Sequence, residues 1–110
     1  MCIFCKIASG EIATPFLYES SAVVAFKDLD PQAPAHILII PRAHYENAAE
    51  LASADSATMA ELFTTARELA TTLELDGYRL TFNTGASAGQ SVFHAHLHLL
   101  GGRPFAWPPG

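Results

Sequence analysis

The chain has 110 residues, half of them hydrophobic and 15% charged, a composition that favours one packed domain spanning 1–110 over disorder. Its formal net charge is −5 and its six lysines and arginines are scattered, which argues against a surface built to hold a nucleic-acid polymer. Any nucleotide partner is then expected to be a small molecule held in a pocket.

In chain order, the first stretch "CIFCKIASGEI" sets Cys2 and Cys5 at C-x-x-C spacing and lacks the long apolar run of a secretory leader. No stretch approaches the ~18 apolar residues that span a bilayer, so no membrane contact is expected and the cytoplasm is the expected compartment. In such a compartment C-x-x-C points to metal or redox chemistry rather than to a structural disulfide. Ile3 to Ala8 predicts a short helix stopped by Ser9-Gly10. Phe16–Glu19 and Val23–Lys27 predict two strands of a hairpin turning at Ser20-Ser21, and Leu29–Pro34 a loop. The continuous run His36–Ile40, closed by Pro41, has the pattern of a central strand covered on both faces.

From Asp55 to Leu75 the period lengthens. Met59, Leu62, Phe63, Ala66, Leu69, Ala70 and Leu73 recur at helical spacing while Glu61, Thr65 and Glu68 fall elsewhere. This predicts the one long helix, capped by Ser53 or Asp55 and ended before Gly77. "YRLTFNT" (78–84) then predicts a strand, "NTGASAGQS" (83–91) a Gly-rich loop, and Ser91 or Val92 to Leu100 a last strand. Strands, one helix, then strands imply an α+β fold, an antiparallel sheet with a helix packed on one face.

The last strand carries "HAHLHLL", with His94, His96 and His98 at every second position. Strand alternation points the three imidazoles to one face and Ala95, Leu97 and Leu99 to the other. His94 and His98 are then about 13 Å apart at ~3.3 Å per residue. Zinc ligand atoms lie about 2 Å from the ion, so a straight strand cannot bring all three rings to one metal. A row of imidazoles suits an extended anionic substrate better, one acting as nucleophile and another donating to phosphate oxygens. The loop just before supplies Gly85 and Gly89 beside Asn83, Gln90 and Ser91, and backbone N–H groups in such a loop can meet an anion.

The motif "HAHLHLL", the segment "DLDPQAPAHILIIPRAH" (28–44), the leader and the tail "GGRPFAWPPG" together resemble the histidine triad (HIT) family of nucleotide hydrolases and transferases, its Hint branch in particular. The resemblance covers nearly the whole chain. It implies a five-stranded antiparallel sheet with one long helix and a two-fold dimer with a continuous sheet. It implies a purine nucleoside phosphoramidate hydrolase in which His96 attacks the α-phosphorus and forms a nucleotidyl-histidine that water cleaves to the monophosphate. His98 and His36 would surround the phosphate, and Ser91 would bond a phosphate oxygen or the leaving group. Asn83 and the backbone near Gly89, Gln90 and Ser91 would complete the phosphate site. His94 would orient His96 through its carbonyl. Asp28, with Asp30 as a nearby competitor, would take the ribose hydroxyls. Ile3, Phe4, Ile7, Phe26 and Leu29 would line the purine pocket, the alternative being that they are core.

Members that carry this amino-terminal C-x-x-C use the positions matching His44 and His94, so the resemblance implies a structural zinc on Cys2, Cys5, His44 and His94, with no catalytic metal. The tail, about 101–110, would reach across the dimer to the partner's site, although Pro104, Phe105 and Ala106 depart from the more polar residues of that branch. Three other readings stand beside this one. They are a zinc-stapled nucleotide-binding or interaction module, a dinucleoside polyphosphate hydrolase, and a zinc hydrolase built on the histidine strand, which the spacing above opposes.

Overall fold

The computed structural model describes residues 2–110. Its strands are β1 (Tyr18–Glu19), β2 (Val23–Lys27), β3 (Ala35–Pro41), β4 (Tyr78–Thr81) and β5 (Leu97–Gly101), with helices α1 (Ile3–Ala8), α2 (Ala48–Ala54) and α3 (Ser56–Thr72). The strands form one five-stranded antiparallel sheet in the order β1-β2-β3-β5-β4. The expected α+β architecture is therefore present, and β3 is its central strand.

Both faces of the sheet are covered, which is why β3 is apolar without a break from Ile37 to Pro41. Ile37 and Ile39 point to the α3 side with Val23, Ala25, Leu97 and Leu99, against Leu62 and Ala66 of the helix. Leu38 and Ile40 point the other way with Val24 and Phe26, beneath Phe4 and Ile7 of α1. One residue of slip in β3 would exchange these two sets, so the pairing Leu38↔His98 also fixes which face the histidines occupy. Glu61 on α3 accepts from the hydroxyls of Tyr18 and Ser20 and ties the hairpin to the helix.

Several boundaries differ from the sequence expectation. α2 was not anticipated; Asn47 caps it by accepting from the Glu50 amide at 3.0 Å. Asp55, not Ser53, caps α3 and accepts from the amide and hydroxyl of Thr58. α3 ends earlier than Leu75, and Glu74 rather than Gly77 takes the left-handed position after it, with φ 55. Thr65 is buried on α3 whereas Phe63 and Leu73 are exposed, because the helix meets the sheet along a stripe through Thr58, Leu62, Thr65, Ala66 and Leu69. β1 is two residues long, and β5 begins at Leu97 instead of 91 or 92. Among the described residues, no helix is long and apolar enough to cross a membrane.

Candidate active site and metal centre

His94 and His96 precede the hydrogen-bonded part of β5, yet the alternation reaches back through them, since Ala95 joins Leu97 and Leu99 in the core on the α3 side. The three histidines thus emerge on the α1 face, and they divide between two clusters.

Around His96 the hydrogen bonds settle the proton positions. His96 Nδ1–H donates to the His94 carbonyl at 2.8 Å, which leaves the Nε2 lone pair unprotonated and pointing away from the backbone. Burial lowers the His96 pKa, opposed by that hydrogen bond and by Asp28, so the ring is neutral at pH 7. The edge of Phe4 packs on the His96 ring, with centroids 5.0 Å apart.

A second chain of bonds begins at a backbone amide. Gln32 N–H donates to His36 Nδ1 at 3.0 Å, so the His36 proton sits on Nε2. That Nε2–H then donates to His98 Nδ1 at 2.9 Å, which places the His98 proton on its own Nε2. His98 Nε2 is buried and has no hydrogen-bond partner among the described residues. Burial, helped by His96 and His36 and opposed by Asp28, pushes the His98 pKa down to about 4. The result is a neutral N–H donor without an acceptor, on a ring whose centroid lies 4.9 Å from that of His96. A buried donor of this kind calls for an acceptor.

Asp28 stands beside this pair, its Oδ2 3.5 Å from His36 Nε2 and its Oδ1 accepting from the Asp30 amide. Asp28 is half-buried beside the histidines, whereas Asp30 is exposed. Asp28, His36 and His98 lie close enough to hold a metal by distance alone. The His36 bonds rule that out, since Nδ1 accepts from Gln32 and Nε2 carries the proton.

His94 turns its ring to the other cluster. Its Nε2–H donates to the Pro41 carbonyl at 2.8 Å, and Nδ1 faces Cys2, Cys5 and His44. The six separations among Cys2 Sγ, Cys5 Sγ, His44 Nδ1 and His94 Nδ1 run from 3.2 to 3.5 Å. Four points with such edges form a near-regular tetrahedron with its centre about 2 Å from each, the distance of a tetrahedral N/S metal site. The Cys5 amide also donates to Cys2 Sγ, and the Pro41 carbonyl holds the His94 ring in the ligating tautomer. The donor set fits a closed four-coordinate ion.

The remaining predicted residues are placed as follows. Phe4, Ile7 and Phe26 are buried in the α1-side core, Phe4 edge-on to Phe26, while Ile3 and Leu29 are exposed. Ser91 is exposed at the end of the loop, and Asn83 lies against Gly89, whose φ of +95 disfavours any side chain there. The amides of Gly89 and Gln90, expected to face an anion, donate within the loop in this structure. Gly89 N–H donates to Ala86 O and Gln90 N–H to Gly85 O, closing a 3-10 turn over Ala86–Ala88. The Gln90 side chain is equally engaged inside the protein.

Sequence reasoning missed Gln32, whose amide orients His36. It also missed Arg103, which donates twice to the Gln32 carbonyl and stacks on Phe105 at 4.3 Å. An arginine inside the tail is the one available signal; a backbone amide gives none.

A family model described as HIT domain matches residues 9–105. An uncharacterized HIT-like protein of Synechocystis is 47% identical over 109 residues, covering 98% of this chain and 96% of that protein. The crystal structure of a HIT family hydrolase from Legionella pneumophila superposes with a TM-score of 0.94 at 46% identity, each chain covered in full. A HIT family hydrolase from Clostridium thermocellum gives 0.90 at 41% identity, over 96% of this chain and 93% of that one.

Proposed function

The chain belongs to the HIT domain family, and from that premise we propose that it hydrolyses purine nucleoside 5′-phosphoramidates, or related nucleotidyl conjugates, through a covalent intermediate on His96. The observation that carries the reading is the unpartnered Nε2–H of His98 on the ring next to His96, whose own Nε2 holds a lone pair. A nucleophile and an anion donor side by side, both neutral and buried, match what attack on a phosphate diester-like centre requires.

In the first step His96 Nε2 attacks the α-phosphorus, the P–N bond breaks, and the nitrogen takes a proton from solvent water as the amine leaves. The His96 Nδ1–H bond to the His94 carbonyl stabilises the cationic ring of the nucleotidyl-histidine. In the second step water attacks the same phosphorus and gives up a proton to solvent, the P–N bond to His96 breaks so that the ring departs as neutral imidazole, and the nucleoside monophosphate is released. His98 Nε2–H holds a phosphate oxygen throughout, with its tautomer maintained by His36 and Gln32. Ser91 stands at the end of the loop to bond an oxygen or the leaving group. Asp28 takes the ribose hydroxyls, and Phe4, Ile7 and Phe26, with exposed Ile3 and Leu29, provide the apolar wall for the base.

Cys2, Cys5, His44 and His94 would hold Zn²⁺, which supplies a structural cross-link and has no open position for chemistry. A homodimer accords with β4 as an open sheet edge and with the exposed Phe63, Leu73 and Tyr78. It also accords with a groove of about 840 Å³ lined by residues of β4 and the tail, including Arg79, Arg103 and Phe105, away from the histidines. Two thiols among metal ligands suit a reducing cytoplasm.

The test is intact-protein mass after mixing with adenosine 5′-phosphoramidate and quenching without acid. The expected result is an added nucleotidyl mass and AMP release from the wild type, and neither from His96→Ala. Equal AMP release from His96→Ala would show that another group is the nucleophile. No adduct and no AMP from a folded wild type would favour a binding module.

A further inference from the structure

We propose that Gln90 is a positioning residue that hangs the 85–91 loop and the nucleophile from one backbone anchor, and that it does not touch the nucleotide. This rests on the reading of the site given above.

The Gln90 side chain is 4% exposed, and each of its polar groups has a partner. Oε1 accepts from the Gly85 amide at 2.8 Å, while Nε2 donates to the Glu46 carbonyl at 2.7 Å and the Val92 carbonyl at 3.1 Å. Those partners fix the orientation of the amide, because an N–H needs an acceptor and two carbonyls need donors. Both N–H protons are thereby taken, so no donor remains for a phosphate.

The bonds have a definite architecture. Gly85 N–H donates to the Gln90 side chain and Gln90 N–H donates to the Gly85 carbonyl, so the loop is closed on itself from both directions. Two bonds leave the loop, one to Val92 just beyond it and one to Glu46, far away in sequence. The neighbouring carbonyl, that of Tyr45, accepts the Ala95 amide at 2.7 Å. Two consecutive carbonyls of the segment that follows β3 thus hold the loop that ends in Ser91 and the stretch that carries His94 and His96. Gln90 sets the distance between Ser91 and His96 by referring both to the same short piece of backbone.

Displacing a reacting or leaving-group contact by about 1 Å can cost up to a hundredfold in rate. Gln90→Leu removes all three bonds. Gln90→Glu keeps the acceptor for Gly85 and sets a carboxylate oxygen against two carbonyls. In both variants kcat for adenosine 5′-phosphoramidate is expected to fall about tenfold to a hundredfold, with KM and the Kd for AMP within about threefold of wild type. Exchange of the Gly85 amide proton should quicken in the Leu variant and less in the Glu variant. A tenfold or greater weakening of AMP binding with kcat unchanged would overturn the proposal and make Gln90 a nucleotide contact. Unchanged kinetics in a folded variant would overturn it as well.

A measurement on the wild type decides the matter even if neither variant folds. The two Gln90 side-chain amide protons should be separate and slowly exchanging in the ligand-free protein, and should not shift when AMP is added. Protons that become protected only with AMP would overturn the proposal. A wild type without any turnover would instead sink the reading of the site on which the kinetic expectation rests, while these protons would still show whether Gln90 holds the loop.

Discussion

His36, His96 and His98 owe their chemistry to atoms that have no signature in sequence. The H-x-H-x-H spacing makes the row of imidazoles legible, and the geometric objection to one metal on all three follows from it. Which nitrogen carries each proton is decided by the His94 carbonyl and the Gln32 amide, backbone groups that any residue would supply. A pH consequence belongs to this scale. The ordinary histidine value near 6.5 describes the unfolded chain, and folding lowers His98 to about 4, with His94 and His96 lowered in the same direction. The unfolded state therefore binds more protons between these values, so stability is full above pH 6.5, declines as pH falls toward 4, and stops declining from this source below it. Urea midpoints measured from pH 7.5 to 4 should fall over that window, and less steeply in His98→Asn. A midpoint that rises on acidification would contradict the sign.

Elements were legible where burial is two-sided or strictly periodic. β2 and β3 match their expected spans within one residue, because each contributes to both cores through an unbroken apolar run, Val23–Phe26 and Ile37–Ile40. α2 escaped because Leu51 is its one buried residue, too little for a period to show, although Asn47 followed by Glu50 three residues on is a capping signal. Phe63 misled for the opposite reason, lying at helical spacing yet 43% exposed, while Thr65 is buried in its place. β5 is shorter than its side-chain alternation, which extends back beyond the ladder of backbone bonds. The central strand yields the prediction at this scale. Ile39 is fully buried between β2 and β5 and faces the α3 side. Ile39→Ala should cost about 2–5 kcal/mol in denaturant unfolding, the range for truncating a large aliphatic residue in a closed core. A loss under about 1 kcal/mol would mean that the core collapses around the gap.

For the molecule as a whole, the four-donor cluster brings together segments far apart in sequence, which the proposed zinc would tie to one another. Its members are 42 and 92 residues from Cys2. Treatment with a strong chelator should lower Tm by more than about 10 °C, since 1 kcal/mol moves Tm by about 4–8 °C in a domain of this size. Below the lowered Tm, AMP release from the phosphoramidate should persist. Loss of turnover with Tm unchanged would assign the metal to the chemistry. The order of these parts along the chain has a consequence for synthesis. Cys2 and Cys5 precede His94 by about 90 residues, and β5, which completes the pairing of β3, follows β2 and β3 in the chain. A chain made from its amino end therefore carries two open thiols and a half-paired central strand until residues 94 to 101 have left the ribosome. The proposed nucleophile, His96, lies on that same segment, so the sheet, the cluster and the histidine pair come together in one step when that segment folds against β3.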